Sequence, residues 1–128
     1  MLLVISPAKT LDFESQAIVK QATKPKFLDD ASALVAIMRQ YSPDDIVKLM
    51  GVSEKIALLN VERYSHWQTP FNRSNAKQSI LAFKGDVYTG LDAESFSEKD
   101  FEYAQQHLRI LSGLYGILKP LDLMQAYR

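Results

Sequence analysis

The 128-residue chain has no cysteine, only two histidines and no excess of charge of either sign. Without cysteine it has no disulfide, no thiolate metal site and no cysteine nucleophile. The two histidines, His66 and His107, lack the spacing of a zinc-ligand pair, so no metal or other cofactor is expected. Fifteen basic residues balance fifteen acidic ones. That removes the wholly basic type of nucleic-acid binder but leaves room for a local patch. No apolar run approaches the length of a membrane span. The opening Met1-Leu-Leu-Val-Ile-Ser-Pro7 has no basic region and is too short for a secretory signal. These absences predict a soluble cytoplasmic protein without a membrane partner. With 47% hydrophobic and 23% charged residues, the chain has the composition of one globular domain.

Helix signals are the clearest positive features. Leu34, Ile37, Met38 and Tyr41 form an apolar stripe, predicting a helix from Leu28 to Tyr41. Ser42-Pro-Asp-Asp45 opens a second helix, with serine as cap, proline in the first turn and two acids at the positive end of the dipole. Met50-Gly51 closes it, and Ser53-Glu-Lys55 starts a third helix reaching about Trp67. Ser97-Glu-Lys-Asp100 has capping-box form and leads a helix through Phe101, Ala104 and Leu108. Short apolar runs predict buried strands at Leu2–Ile5 and Ser79–Phe83. Arg109–Ser112 reads as a third short strand or as the last turn of the preceding helix. Residues 11–27 read as an extended connection. The whole is an α+β pattern: short buried strands with a helical subregion at 28–67.

Three loops carry the candidate chemistry. Ser6-Pro-Ala-Lys-Thr10 follows the first strand and offers Lys9 to an anion. Lys84-Gly-Asp86 follows the second strand; it lacks P-loop spacing and also reads as a simple strand-to-helix turn. The densest segment, His107 to Asp122, places Gly113 and Gly116 three apart between apolar residues, with Arg109 and Lys119 as flanking cations. Such a turn is either a tight corner in the core or a place where main-chain N–H groups meet a phosphate. The phosphate reading selects Lys9, Lys84, Arg109, Ser112, Gly113, Gly116 and Lys119. A pocket reading selects Ser6, Asp86, Tyr88, His107, Tyr115 and Asp122, with Lys9 or His107 catalytic and Asp86 or Asp122 orienting. Each has an ordinary alternative: a solvated lysine, a hydrogen-bonded histidine, a core aromatic. Asp86, Asp92 and Asp122 have no spacing that demands a hard metal.

Ile5-Ser-Pro-Ala-Lys-Thr-Leu-Asp12, Ala82-Phe-Lys-Gly-Asp-Val-Tyr-Thr-Gly-Leu91 and Ala104 through Met124 together resemble the YaaA family of bacterial peroxide-stress proteins. The resemblance covers the whole chain in order. It implies a cytosolic protein made under hydrogen peroxide stress, tied to limiting free iron and DNA damage. It further implies an unusual α+β fold, a basic cleft, and binding of double-stranded DNA without sequence preference through a helix-hairpin-helix-like element, here mapped onto Leu108–Leu118. Family members are longer, so the chain is expected to be an N-terminal half, either a domain of its own or part of a larger one, with self-association open to a fragment. The family's last block runs on through Pro-Tyr-Arg, whereas Ala126 precedes Tyr127 here. The alternative is an enzyme acting on a nucleotide or nucleobase in a pocket formed by the Lys9, Asp86 and His107 loops. Direct iron handling is a third reading, and without cysteine it would need carboxylate ligands.

Overall fold

Three serines start three helices. In the computed structural model, which describes residues 1–128, Ser42, Ser53 and Ser97 cap α2 (Pro43–Met50), α3 (Glu54–His66) and α6 (Glu98–His107). Ser42 Oγ accepts from the Asp45 N–H at 3.2 Å, and Asp45 Oδ2 accepts from the Ser42 N–H at 3.0 Å. Ser97 and Asp100 repeat the reciprocal pair at 3.2 and 2.8 Å. Ser53 Oγ accepts from the Ile56 N–H. Each cap contributes about 1 kcal/mol by satisfying N–H groups that the helix leaves unpaired.

The other elements are short. They are β1 (Leu3–Ile5), β2 (Thr10–Leu11), α1 (Leu28–Met38), β3 (Lys77–Gln78), α4 (Ser79–Ala82), β4 (Phe83–Lys84), α5 (Asp86–Leu91), a 3-10 turn at Ala93–Ser95, β5 (Leu108–Ser112), β6 (Gly116–Leu118) and β7 (Leu123–Met124). The fold class is α+β, as the sequence pattern predicts. The main sheet has the order β1-β5-β6, with β1 parallel and β6 antiparallel to the central β5. β2 pairs with β4, and β3 with β7, as two-stranded ladders. The core gathers Trp67, Phe71, Ile80, Phe83, Phe101, Ile110, Tyr115, Leu118 and Met124.

Four expectations are corrected. Ser79–Ala82 is a buried helical turn rather than a strand. Its Ser79 Oγ donates to the carbonyls of Lys119 and Pro120, so tertiary contacts override the β-like composition. β1 forms where expected but is not buried, with Leu3 and Val4 half exposed at the sheet edge. α1 buries Ala31 and Val35 and leaves Leu34 and Ile37 exposed, one step round from the predicted stripe. Leu108–Leu118 is a strand–turn–strand hairpin, so it is not the helix-hairpin-helix element mapped there.

The connection at 12–21 has no regular structure but a fixed path. Buried Lys77 donates from Nζ to the carbonyls of Asp12 (3.0 Å) and Ser15 (2.9 Å), with the Asp12 carboxylate 3.6 Å away. Gln78 Nε2 donates to the carbonyls of Val19 and Gln21. Asp12 Oδ1 accepts the N–H groups of Glu14 and Ser15. These bonds, those of Ser15 foremost, hold its carboxyl well below the usual carboxylate range.

Candidate nucleic-acid interface

The sheet register sorts the predicted residues into two groups. Because β1 and β5 are parallel, with Leu3 opposite Leu108 and Ile5 opposite Ile110, the Ser6–Thr10 loop leaves the end of the sheet where β5 enters its turn. The Lys84–Gly90 segment joins it there. Thr10 pairs with Lys84, the Tyr88 hydroxyl donates to the Ser6 carbonyl at 2.7 Å, and a Cβ at Gly85 would sit 3.6 Å from that of Ala8. Lys9 and Asp86 are exposed at this end. Lys84 is not free, because its ammonium forms an ion pair with Glu94. Tyr88 is buried, and desolvation pushes its phenol well above the usual range.

The glycine turn lies at the same end and is mostly internal. Ser112 Oγ accepts from the Tyr115 N–H at 3.0 Å and shares a 2.7 Å hydrogen bond with the Tyr127 hydroxyl. Tyr115 is fully buried. Gly113 and Gly116 are exposed, and Leu114 between them is half-buried. Gly116 has φ +77, and a side chain there would press on the Phe27 ring at 3.2 Å. Turn and close approach thus require glycine for structural reasons alone.

His107, Arg109, Lys119 and Asp122 belong to the other end. The His107 ring donates from Nδ1 to the Met1 carbonyl at 2.8 Å and stacks on Tyr103, with ring centroids 4.2 Å apart. It lines an apolar groove with Leu3, Leu91 and Phe96. About four strand residues separate it from Ser6, roughly 13 Å, so the structure does not bring His107 to the Lys9 and Asp86 loops. Arg109 Nη1 donates to the carbonyls of Gln105 (2.9 Å) and Leu108 (2.7 Å) at the end of α6. Asp122 is buried; its carboxylate accepts from the Thr23 hydroxyl at 2.5 Å and the Lys119 N–H at 2.8 Å. Burial pushes that carboxyl above its ordinary value despite both bonds. Lys119 remains exposed.

A different element has the two-helix form. α2 and α3 pack against each other through a connection of only three residues, Gly51–Ser53. Gly51 has φ +64, the left-handed conformation that ends α2, and its N–H donates to the Val47 carbonyl at 2.9 Å. The Ser53 cap takes the Ile56 N–H, so the first N–H groups of α3, at Glu54 and Lys55, face outward at the positive end of its dipole. Lys48 and Lys55 flank the corner, exposed and outside either ion pair. Asp44 and Asp45 lie at the far end of α2, where Asp45 is held in its capping box. Arg39 braces the base of the pair by donating to the Tyr64 and Trp67 carbonyls at the end of α3.

A family model described as peroxide stress protein YaaA matches residues 1–128, the whole chain. The chain belongs to the YaaA family. The UPF0246 protein of Alcanivorax borkumensis is 62% identical over 128 residues, which are all of this chain and 50% of that protein. The chain therefore spans about half the length of that relative.

Within this YaaA-family chain, sequence reasoning passed over two features. One is the α2–α3 corner, whose signals were present: a glycine stop at 51 and a serine start at 53 leave room for a tight turn and nothing else. The other is a buried polar network. Trp67 Nε1 donates to the Tyr115 hydroxyl at 2.9 Å, and that hydroxyl also accepts from the Gln125 N–H at 3.0 Å and donates to the Gln125 carbonyl at 3.2 Å. Nothing in the local pattern marks these residues, because they are 10 to 58 positions apart. No helix of the structure is long and apolar enough to cross a membrane.

Proposed function

We propose that this chain is the DNA-holding part of a cytoplasmic peroxide-stress protein. It grips double-stranded DNA by its phosphates, without reading sequence, and so limits iron-dependent damage when peroxide rises. The observation that carries the reading is the α2–Gly51–α3 corner with Lys48 and Lys55 beside it. Outward N–H groups at a helix start, a close-turning glycine and two unpaired cations together suit a phosphate. This corner replaces the Gly113–Gly116 turn as the proposed helix-hairpin-helix contact. Of the first-named basic set, Lys9 and Lys119 are exposed and remain available for outlying contacts. Lys84 and Arg109 are engaged with protein acceptors, and Ser112 is internal.

Phosphate contacts position a duplex and release counterions, so affinity must fall as salt rises. The test is duplex binding by the full-length protein between low and high salt, for the wild type and for Lys48→Glu with Lys55→Glu. The double variant should weaken binding on all sequences alike and reduce the salt slope by about 2, one for each phosphate contact. An unchanged slope would remove the corner from the interface, and a salt-independent wild type would remove the mechanism. Survival under hydrogen peroxide of cells carrying the double variant reads the stress role.

A further inference from the structure

The β1-β5-β6 sheet has two unlike faces. The register places Leu3, Ile5, Leu108, Ile110, Ser112 and Leu118 on one side, and all but Leu3 and Ile5 are buried there. On the other side lie Val4, Arg109, Leu111 and Ile117. Val4 is 53% exposed, Leu111 44% and Ile117 47%. Within the strands the only charge on this outer face is Arg109, which is turned onto the carbonyls of Gln105 and Leu108; exposed Lys119 follows β6 at the rim. A sheet face open to water normally alternates toward polar residues, and this one does not.

The edge beside it is equally unprotected. β1 pairs only with β5, and its other side is free. The run Met1-Leu-Leu-Val-Ile5 carries no charged side chain, proline or glycine, the usual devices that keep a free edge from pairing with another strand. Met1 and Leu2 are 86% and 56% exposed. An apolar edge next to an apolar face whose one strand cation is turned onto carbonyls is the surface of an interior.

We propose that the half of the full-length polypeptide outside these 128 residues covers this surface, adding a strand to the free edge of β1 and an apolar layer over Val4, Leu111 and Ile117. The occupant is chosen by length. The 62% identical relative carries this whole chain in half of itself, so an equal length of polypeptide is tethered to it. A tethered segment meets the surface at a high effective concentration, which a second copy does not. The two halves then share one core through the main sheet rather than sitting as separate domains.

Single cysteines test this in the full-length protein, with any cysteine outside residues 1–128 replaced by serine. Val4→Cys and Ile117→Cys are labelled with a maleimide under native conditions, with Lys99→Cys on exposed α6 as reference. Labelling at positions 4 and 117 is expected to be at least about tenfold slower than at 99, at every protein concentration. Equal rates would overturn the proposal. Protection lost on dilution would overturn it too, because a second copy would then be the cover. If the variants fail to fold, hydrogen exchange on the unsubstituted full-length protein decides. Slow exchange across Leu2–Ile5, independent of concentration, supports the added strand; exchange at unprotected rates refutes it.

Discussion

Removing one oxygen from the core should cost more than removing a surface side chain. The Tyr115 hydroxyl joins Trp67 Nε1, the Gln125 N–H and the Gln125 carbonyl at 2.9, 3.0 and 3.2 Å. Tyr115→Phe keeps the ring but leaves two buried donors without an acceptor and one carbonyl without a donor. Each stranded donor costs about 1–3 kcal/mol, so the two cost about 2–6 kcal/mol, the carbonyl adding little because it keeps a second lone pair. That is a large share of the roughly 5–15 kcal/mol that holds a domain together. At about 4 °C per kcal/mol for a chain of this size, Tm should fall by about 8–24 °C. Urea unfolding at 25 °C followed by fluorescence is the assay. Trp67 is the sole tryptophan of the chain and sits at the centre of the change. Tyr103→Phe, on an exposed ring, should shift stability by less than about 0.5 kcal/mol. A Tyr115→Phe loss below about 1 kcal/mol would refute the reasoning, because the network would then be incidental to the packing around it.

Three further outcomes follow from other sites. Arg39→Met should cost about 1–2 kcal/mol, since a cation is removed from the Tyr64 and Trp67 carbonyls at the negative end of α3; helix content by circular dichroism and the urea midpoint both report it. Gly116→Ala should destabilise by about 1–2 kcal/mol through its left-handed backbone, with the Phe27 contact adding to this, and a neutral result in thermal melts would contradict the φ +77 turn. Asp122 is raised by burial, so the folded protein holds its proton more tightly than the unfolded chain does. The stability this gives is full below the unfolded value of about 4 and is lost as pH rises through the folded value. Wild type should therefore lead Asp122→Asn by more at pH 4 than at pH 7 in urea unfolding, and a lead that grows with pH would invert the assignment.

The helix starts were legible because their chemistry is local. Ser42, Ser53 and Ser97 each act on an N–H three residues ahead, and that spacing is visible in the sequence. The strands were less so. Ser79–Phe83 and Leu2–Ile5 look alike as apolar runs, yet one is a buried helical turn and the other an exposed edge. What separates them is partners: Ser79 has the carbonyls of Lys119 and Pro120 across the fold, and β1 has only β5 on one side. The candidate site divided in the same way. The meeting of the Ser6 and Lys84 loops needs the β2–β4 ladder, and the separation of His107 from them needs the parallel register of β1 with β5. Neither pairing leaves a mark in the residues themselves. The glycines at 113 and 116 drew attention by composition, whereas the corner at Gly51 is defined by the two helices beside it.

Past the Asp12 carboxylate, Lys77 and Gln78 hold the connection at 12–21 through its carbonyl oxygens. Every amino acid carries that oxygen, so the grip is blind to which side chains the connection bears between Phe13 and Lys20. The exposed positions among them are thus open to substitution without loss of the path, proline and glycine apart, whereas Ala17 and Val19 also pack against the core. The two positions that cannot be exchanged for apolar residues lie some sixty residues away. A screen for tolerated changes would find the surface segment permissive and the two-residue strand intolerant, the reverse of what the exposure of a loop and the brevity of a strand suggest.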